Sequence, residues 1–503
     1  MIVDYEYKSN NLIVSYIGDN GHIKVKHYRW PAPQKYVVCP DDDRDKDGKY
    51  VTWDGCSVKK VYTRNPDRYS VYDYLDNLPQ EEQDVLFKYV EPEIFFIDIE
   101  NEILETGKPQ PHLAQGMIQS ISIVVRNKVL VMGVDALSPE QEKSIREDIN
   151  NYFIKFNADY DFKFIRYKNE YEMLLNFFEK YVPKMPVVTG WNFTEYDWVY
   201  LVNRARKIGV DPSSASLTRV LRQPFKRDNK SGRNKESYCE QPAHRSVIDY
   251  MELYDKWNST IKVKEANSLD FVSDGILGVK KVNYEGSLKT LATSDYKKFI
   301  FYNAVDSILV QKIHEKTKWI DILYGISTLS RIKVLDAYST LPVTEGILRR
   351  KLKKERNVIL CKLDREFPDN VIAEAEKAVK GGWVKDPVKG MAVWVACYDF
   401  SSLYPTCMRM FNISADSYKG ILSPTKDFAV FNGHRVELEA DDIILLNGTV
   451  FKNETGVVNQ VMTDIFADRK KFKGFMMKEH DELEATKRDL KLAEEDILAE
   501  ITD

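Results

Sequence analysis

Residues 94–100, IFFIDIE, constrain this chain more tightly than any other segment: an apolar run that ends by delivering two carboxylates. Ile94, Phe95, Phe96, Ile97 and Ile99 favour a short buried strand. Side chains alternate along a strand, so Asp98 and Glu100 share one face of it. A buried strand needs neighbours, and the following residues supply them. MIQSISIVV (117–125) and VLVMGV (129–134), separated by RNK, read as a hairpin, and VVTGWN (187–192) reads as a further strand. YEMLLNFFEKYV, DWVYLVNRARKIG and FIFYNAVDSILVQKIHEK read as helices. The alternation predicts an α/β domain around a mixed sheet over residues 89–318.

With 503 residues, the chain exceeds the ~250 to 300 at which single cores stop growing, so several domains are expected. Residues 1–88 read as β-rich, with extended runs YVVC (36–39) and YVTW (50–53), and residues 319–365 as mixed and helical, ending in RRKLKKER. GMAVWVACYD (390–399) reads as a nearly continuous apolar strand that delivers Asp399. From residue 463 a polar helix is expected, carrying Met476, Leu483, Leu490 and Ile497 at a heptad spacing. Hydrophobic residues at 43% and charged residues at 30% exclude wholesale disorder. No apolar run is long enough to span a membrane and no signal peptide is visible, so a cytoplasmic protein without a membrane partner is expected. The six cysteines show no zinc or redox spacing, which predicts reduced thiols. A net charge of −4 does not exclude nucleic acid, because a polyanion is bound by local basic surface.

Asp98 and Glu100 taken alone are equally a solvated strand end. GWNFTEYD (190–197) puts Asp197 in the first turn of a helix, where the helix dipole by itself stabilises an aspartate. In YNAVD (302–306), Tyr302 and Asp306 are four apart and share a helix face, a spacing that plain helix-stabilising contacts also use. Three such readings in this order are improbable together. The set resembles the DEDD-type 3'-5' proofreading exonuclease of DNA polymerases, with tyrosine as its fifth member. The resemblance implies a ribonuclease H-like fold in which Asp98, Glu100, Asp197 and Asp306 hold two Mg²⁺ or Mn²⁺ ions and Tyr302 orients the attacking water. The residue types suit that chemistry. Two hard cations ~3.5 to 4 Å apart serve in-line attack on a phosphodiester, and carboxylate oxygens are the ligands they prefer.

Downstream, YDFSSLYPT (398–406) combines an aspartate at a strand end, a turn whose N–H groups can cradle phosphate, and an aromatic residue. It resembles the first metal-binding motif of the family B DNA polymerase palm. That implies that Asp399 binds both catalytic metals, that the Phe400 backbone helps, that Ser402 and Leu403 touch the triphosphate, and that Tyr404 packs under the sugar. KGGWVKDP (380–387) resembles the family's template-contacting segment, which assigns Gly381 and Gly382 to DNA. FADRKKFK (466–473) resembles the first fingers helix, with Arg469 and Lys473 on one face to grip the incoming nucleotide. With MRMFNIS, CP at 39–40 and LDFVSDG at 269–275, the chain looks like the T-even-type bacteriophage replicative polymerases.

The expected fold class is therefore α/β and α+β multidomain. Its parts are a β-rich N-terminal domain (1–88 and 319–365), a 3'-5' exonuclease domain (89–318), a partial palm (366–456) and half of the fingers (457–503). The family's D-T-D motif, thumb and clamp-binding tail are not in the sequence, and Asp441-Asp442 precedes the fingers helix. The expectation is an N-terminal subunit or fragment that degrades single-stranded 3' ends alone. It would synthesise DNA from dNTP on primer-template, with two further ions at an assembled polymerase site, only with a C-terminal polymerase chain and a sliding clamp reached through it. A non-catalytic DNA-binding or scaffolding fragment and a shortened single-chain polymerase are the alternatives. Three weaker signals complete the reading. The basic insert 223–241 offers Lys226 and Arg227 to the primer strand; DRDKDGKYVTWD (43–54) has part of a calcium-loop pattern but reads better as a charged hairpin; and Asn283 stands where relatives commonly carry a lysine near the exonuclease metals.

Overall fold

A computed structural model describes the chain apart from residues 41–48, 53–54, 105–108, 224–225, 228–233, 236–237, 259–266, 361–384, 387–388, 392, 401, 432 and 503; the side chains of 226–227, 234–235 and 494–502 are also outside the description. The residues divide into two units, Met1–Gln34 with Tyr62–Ile347, and Lys35–Val61 with Leu348–Asp503. Residues 35–61, read from sequence with the N-terminal domain, group with the later part of the chain because Val51–Thr52 pairs in parallel with Val358–Ile359.

The first unit opens with an antiparallel meander, β1 (Ile2–Lys8), β2 (Asn11–Ile17) and β3 (Ile23–Arg29). Its main element is a six-stranded mixed sheet of β4 (Ile94–Asn101), β5 (Ile118–Val125), β6 (Lys128–Gly133), β7 (Asp161–Arg166), β8 (Val187–Gly190) and β9 (Ser246–Asp249), in spatial order β7-β6-β5-β4-β8-β9. The hairpin expected across RNK is β5 and β6, antiparallel, with Arg126 in the left-handed region at φ 53° to make the turn. β8 lies parallel to both β4 and β9, which places β4 inside the sheet and explains its continuous apolar sequence.

Two helices carry the candidate site residues. Helix α1 (Asp197–Lys207) buries Trp198, Tyr200 and Leu201 in a core that also holds Ile97, Ile99 and Phe193. Helix α2 (Tyr296–Thr317) starts where Asp295 accepts a hydrogen bond from the Lys298 N–H and stops at Lys318, which is left-handed at φ 54°. It packs across β4 and β5, and it is buried around nearly its whole circumference from Ala304 to Val310.

The second unit contains a five-stranded antiparallel sheet built from Tyr418–Leu422, Phe428–Phe431, His434–Glu437, Ile443–Ile444 and Thr449–Phe451. The 46-residue helix α3 (Val457–Thr502) confirms the long polar helix, and Met476, Leu483 and Leu490 of its heptad stripe are exposed. The strand expected over 390–399 is not formed: among the described residues there, none is in a strand, and Trp394 and Tyr398 are almost fully exposed. A run this apolar becomes a strand by burial between neighbouring strands, and no described residue pairs with it.

One close approach ties the sheet to the site. A Cβ at Gly190, on β8, would collide with the Ile97 carbonyl oxygen of β4 and with the Phe193 ring. Gly190→Ala should therefore destabilise the first unit by about 1–3 kcal/mol through overpacking, read as a lower urea midpoint for its unfolding. A midpoint equal to that of the parent would show that β4 and β8 do not approach so closely.

Candidate active site

The end of β4 sets the geometry. Ile97 and Ile99 turn into the core, so Asp98 and Glu100 turn to the opposite face, in register with Ser122 and Ser120 of β5. Helix α1 begins beside them: Asp197 is buried in its first turn, and its Oδ1 accepts a hydrogen bond from the Ile99 N–H at 3.4 Å. The turn before α1 is held by Asp249 at the end of β9, whose Oδ2 accepts from the Thr194 N–H at 3.0 Å and from its hydroxyl at 3.2 Å. Helix α2 presents Tyr302 and buried Asp306 from above the sheet. Asp98, Glu100 and Asp306 each place one carboxylate oxygen so that the three lie within 4.8 Å of one another. Asp197 stands outside that triplet but lines the same cavity, of about 330 Å³, as do Tyr302, Trp191 and Tyr196. The five residues singled out by the upstream motifs thus meet in one place.

So many acids in a small volume perturb one another. Burial, then the charges of Asp98 and Asp306, push the Glu100 carboxyl well above its usual range. Burial and Asp98 push Asp197 up as well, opposed by the Ile99 N–H. Asp306 is raised by burial, and Lys281 pulls against the shift. The Lys281 Nζ lies 2.5 Å from Asp306 Oδ2 and 4.9 Å from the centre of the Tyr302 ring. Burial lowers the Lys281 ammonium, but Asp306, Tyr302 and Asp98 together outweigh it and the net shift is upward. The basic partner of the cluster is therefore Lys281 and not the residue at 283; Asn283 is exposed. Lys281 escaped the sequence reading because it lies in an irregular stretch with no periodicity. Asp249 and Asn303 were also missed. Asn303 is fully buried beside Tyr302, and its Nδ2 donates to Asp98 Oδ2 at 2.7 Å.

The donor set fits hard divalent cations. Three carboxylates converge, and the buried Asp306 Oδ1 has no hydrogen-bond partner, as expected of an oxygen that a metal ion would satisfy.

The downstream motif belongs to the other unit. Asp399 and Phe400 lie exposed in an irregular segment, Ser402 is left-handed at φ 52°, and Leu403 and Tyr404 are exposed at the start of the helix Leu403–Met410. Arg469 and Lys473 are exposed on α3, one turn apart. Asp442 is held by Lys419 Nζ at 2.6 Å, which accounts for the late acidic doublet without a metal. Lys226 and Arg227 form a short strand antiparallel to Asn234–Lys235, with their side chains outside the description. Gly381, Gly382 and the acidic residues of the 43–54 loop lie outside the described residues.

Comparison with known proteins gives two family matches: residues 57–266 to the exonuclease domain of DNA polymerase family B, and residues 334–493 to DNA polymerase family B. The chain is 27% identical to the DNA-directed DNA polymerase of Escherichia phage RB69 over 62% of its own length and 34% of that protein. The corresponding figures are 24%, 65% and 35% for the DNA-directed DNA polymerase of Enterobacteria phage T4, and 22%, 96% and 61% for the DNA polymerase of Thermococcus gorgonarius. The chain thus spans about a third of the length of the phage polymerases it matches. The exonuclease match stops before Tyr302 and Asp306, so their convergence with Asp98 and Glu100 is an observation independent of it.

The raised carboxyls make a signed prediction. Glu100, Asp197 and Asp306 hold protons more tightly folded than unfolded, so their contribution to stability is full below the unfolded carboxyl pKa of ~4 and is lost as pH rises through the folded values. Cations bound to the deprotonated cluster would reverse this loss. The increase in Tm on replacing EDTA with Mn²⁺ should grow from about pH 5 to about pH 8; an increase independent of pH would contradict the electrostatics.

Proposed function

Because the chain belongs to DNA polymerase family B, with matches to both the exonuclease and the polymerase parts of the family, we propose that its first unit hydrolyses nucleotides from the 3' ends of single-stranded DNA. The convergence of Asp98, Glu100 and Asp306 in one cavity, with Asp197 and Tyr302 on its wall, is the observation that supports this reading. Asp98, Glu100, Asp197 and Asp306 would hold Mg²⁺ or Mn²⁺. Such ions, when bound, activate water and stabilise the departing 3' oxygen. The remaining work falls to the chain. Lys281 favours the ionised form of Asp306, and burial together with the Asp306 charge keeps the Tyr302 phenol neutral, so that its hydroxyl can orient the water. Trp191 and Tyr196 line the same cavity and would contact the terminal bases, a sequence-tolerant contact suited to any 3' end.

We assign template-directed DNA synthesis to the second unit as part of a larger polymerase. Asp399 would be its metal ligand; Phe400, Ser402, Leu403, Tyr404, Arg469 and Lys473 would bind dNTP; and Gly381, Gly382, Lys226 and Arg227 would contact DNA. Two-metal transfer requires a further palm carboxylate motif, which these 503 residues do not contain. It would come from residues outside this sequence, on the same chain or on a partner, as would any contact with a clamp.

A 3'-labelled single strand incubated with Mg²⁺ tests the exonuclease reading. The parent protein should shorten it, and Asp98→Ala/Glu100→Ala should do so slower by a factor on the order of 10³ or more. Equal shortening by both would sink the assignment and leave a DNA-binding role.

A further inference from the structure

Asn303 occupies a position that no motif accounts for. It follows Tyr302 and precedes Asp306 by three residues, so α2 directs all three toward the sheet. Tyr302 and Asp306 reach the cavity, whereas Asn303 is fully buried against the face of β4 and β5. Both ends of its amide are engaged. The Ser120 hydroxyl, also fully buried, donates to Asn303 Oδ1 at 3.0 Å, and Asn303 Nδ2 donates to Asp98 Oδ2 at 2.7 Å. The chemistry fixes the direction of this chain of bonds. An ionised carboxylate only accepts, so the amide must turn its NH₂ to Asp98 and its oxygen to a group that can donate, which the Ser120 hydroxyl does.

We propose that Asn303, pinned by Ser120, is a positioning residue for Asp98: it fixes the carboxylate's rotation, so that the cation site is preformed before metal arrives. The inference rests on the metal-dependent exonuclease reading above. Three observations lead to it. Asp98 places a carboxylate oxygen within 4.8 Å of those of Glu100 and Asp306 and lines the same cavity as Asp197, so its orientation affects the whole cluster. Asn303 gives it a neutral donor at 2.7 Å, which holds one carboxylate oxygen in place without setting a cation beside the oxygens that metal would take. Lys281 does the opposite at Asp306, so the two ends of the cluster are held by different means. A carboxylate free to rotate would have to be ordered by the metal itself, at a cost in affinity.

The test is Mn²⁺ binding to the full chain without DNA, followed by electron paramagnetic resonance, together with the exonuclease rate as a function of Mn²⁺ concentration. Asn303→Leu keeps the branching and the number of side-chain heavy atoms and removes the donor. It should weaken at least one Mn²⁺ site by about 10- to 100-fold, the range found when a ligand's outer hydrogen bond is removed, and excess Mn²⁺ should restore most of the exonuclease rate. Ser120→Ala, which frees the amide, should shift Mn²⁺ affinity in the same direction by less. A role confined to packing would lower Tm and leave Mn²⁺ affinity alone, so a folded Asn303→Leu protein with parental affinity overturns the proposal. Should Asn303→Leu fail to fold, Ser120→Ala decides: parental affinity overturns the proposal and weakened affinity supports it. Parental degradation by Asp98→Ala/Glu100→Ala, or no Mn²⁺ bound by the parent, overturns the exonuclease reading and this inference with it. Failure of the positioning role alone would show only in the Asn303 and Ser120 variants.

Discussion

Mutual repulsion among buried carboxylates is the constraint on which the rest of the first unit depends. A single ionised carboxyl is costly to bury, and here Glu100, Asp197 and Asp306 are all shifted upward by burial and, in Glu100 and Asp197, by Asp98. Nothing in the local sequence favours this arrangement; it is imposed by the scaffold. The countermeasures are specific. Lys281 sits on Asp306, the Ile99 N–H on Asp197 and the Asn303 amide on Asp98. None of them neutralises the cluster, and Asp306 Oδ1 has no hydrogen-bond partner. The cluster is thus left with more carboxylates than the described residues balance.

The scaffold resists the repulsion because its parts are packed too closely to drift apart. The absent side chain of Gly190 lets β8 lie against β4 at Ile97, one residue before Asp98. Asp249 ties the Thr194 turn to the end of β9, which fixes where α1 starts and so where Asp197 sits. Helix α2 is buried nearly all round along its central turns, so it cannot slide to relieve Asp306 without exposing apolar surface. A substitution far from the acids therefore acts on them through the spacing of β4, β8 and α2.

The sequence made the sheet legible where burial dictated composition. β4 is continuous apolar sequence because strands flank it, and β5 and β6 are apolar on either side of a turn. β7, DFKFIR, went unread because a strand at the edge of the sheet has charged residues along it and too little apolar signal. Among the site residues, the acids were readable because each falls at the end or on one face of a periodic element. Lys281 and Ser120 were not, since a lysine in an irregular stretch and a serine in a strand are common everywhere; only the fold shows that they converge. The segment 390–399 erred in the opposite direction. Its composition called for a strand, but composition states only a tendency, and without a pairing strand among the described residues the tendency is not realised.

The two candidate sites consequently differ in how much of their organisation the described residues supply. At the upstream site, the acids come from β4, α1 and α2, and Asp98, Asp197 and Asp306 each have a protein group that restrains them. Preorganisation of that kind transfers the cost of ordering from binding to folding, where the hydrophobic core offsets it. At the downstream site Asp399 is an exposed carboxylate on an irregular segment, and the nearest acidic doublet is already committed through Lys419. An exposed carboxylate without neighbouring ligands binds a hydrated Mg²⁺ weakly, because the ion gives up its water only to a set of oxygens at fixed distances. The restraints on Asp98, Asp197 and Asp306 are thus set by folding alone, whereas Asp399 lies exposed on an irregular segment where the described residues supply no comparable hydrogen bond or ion pair.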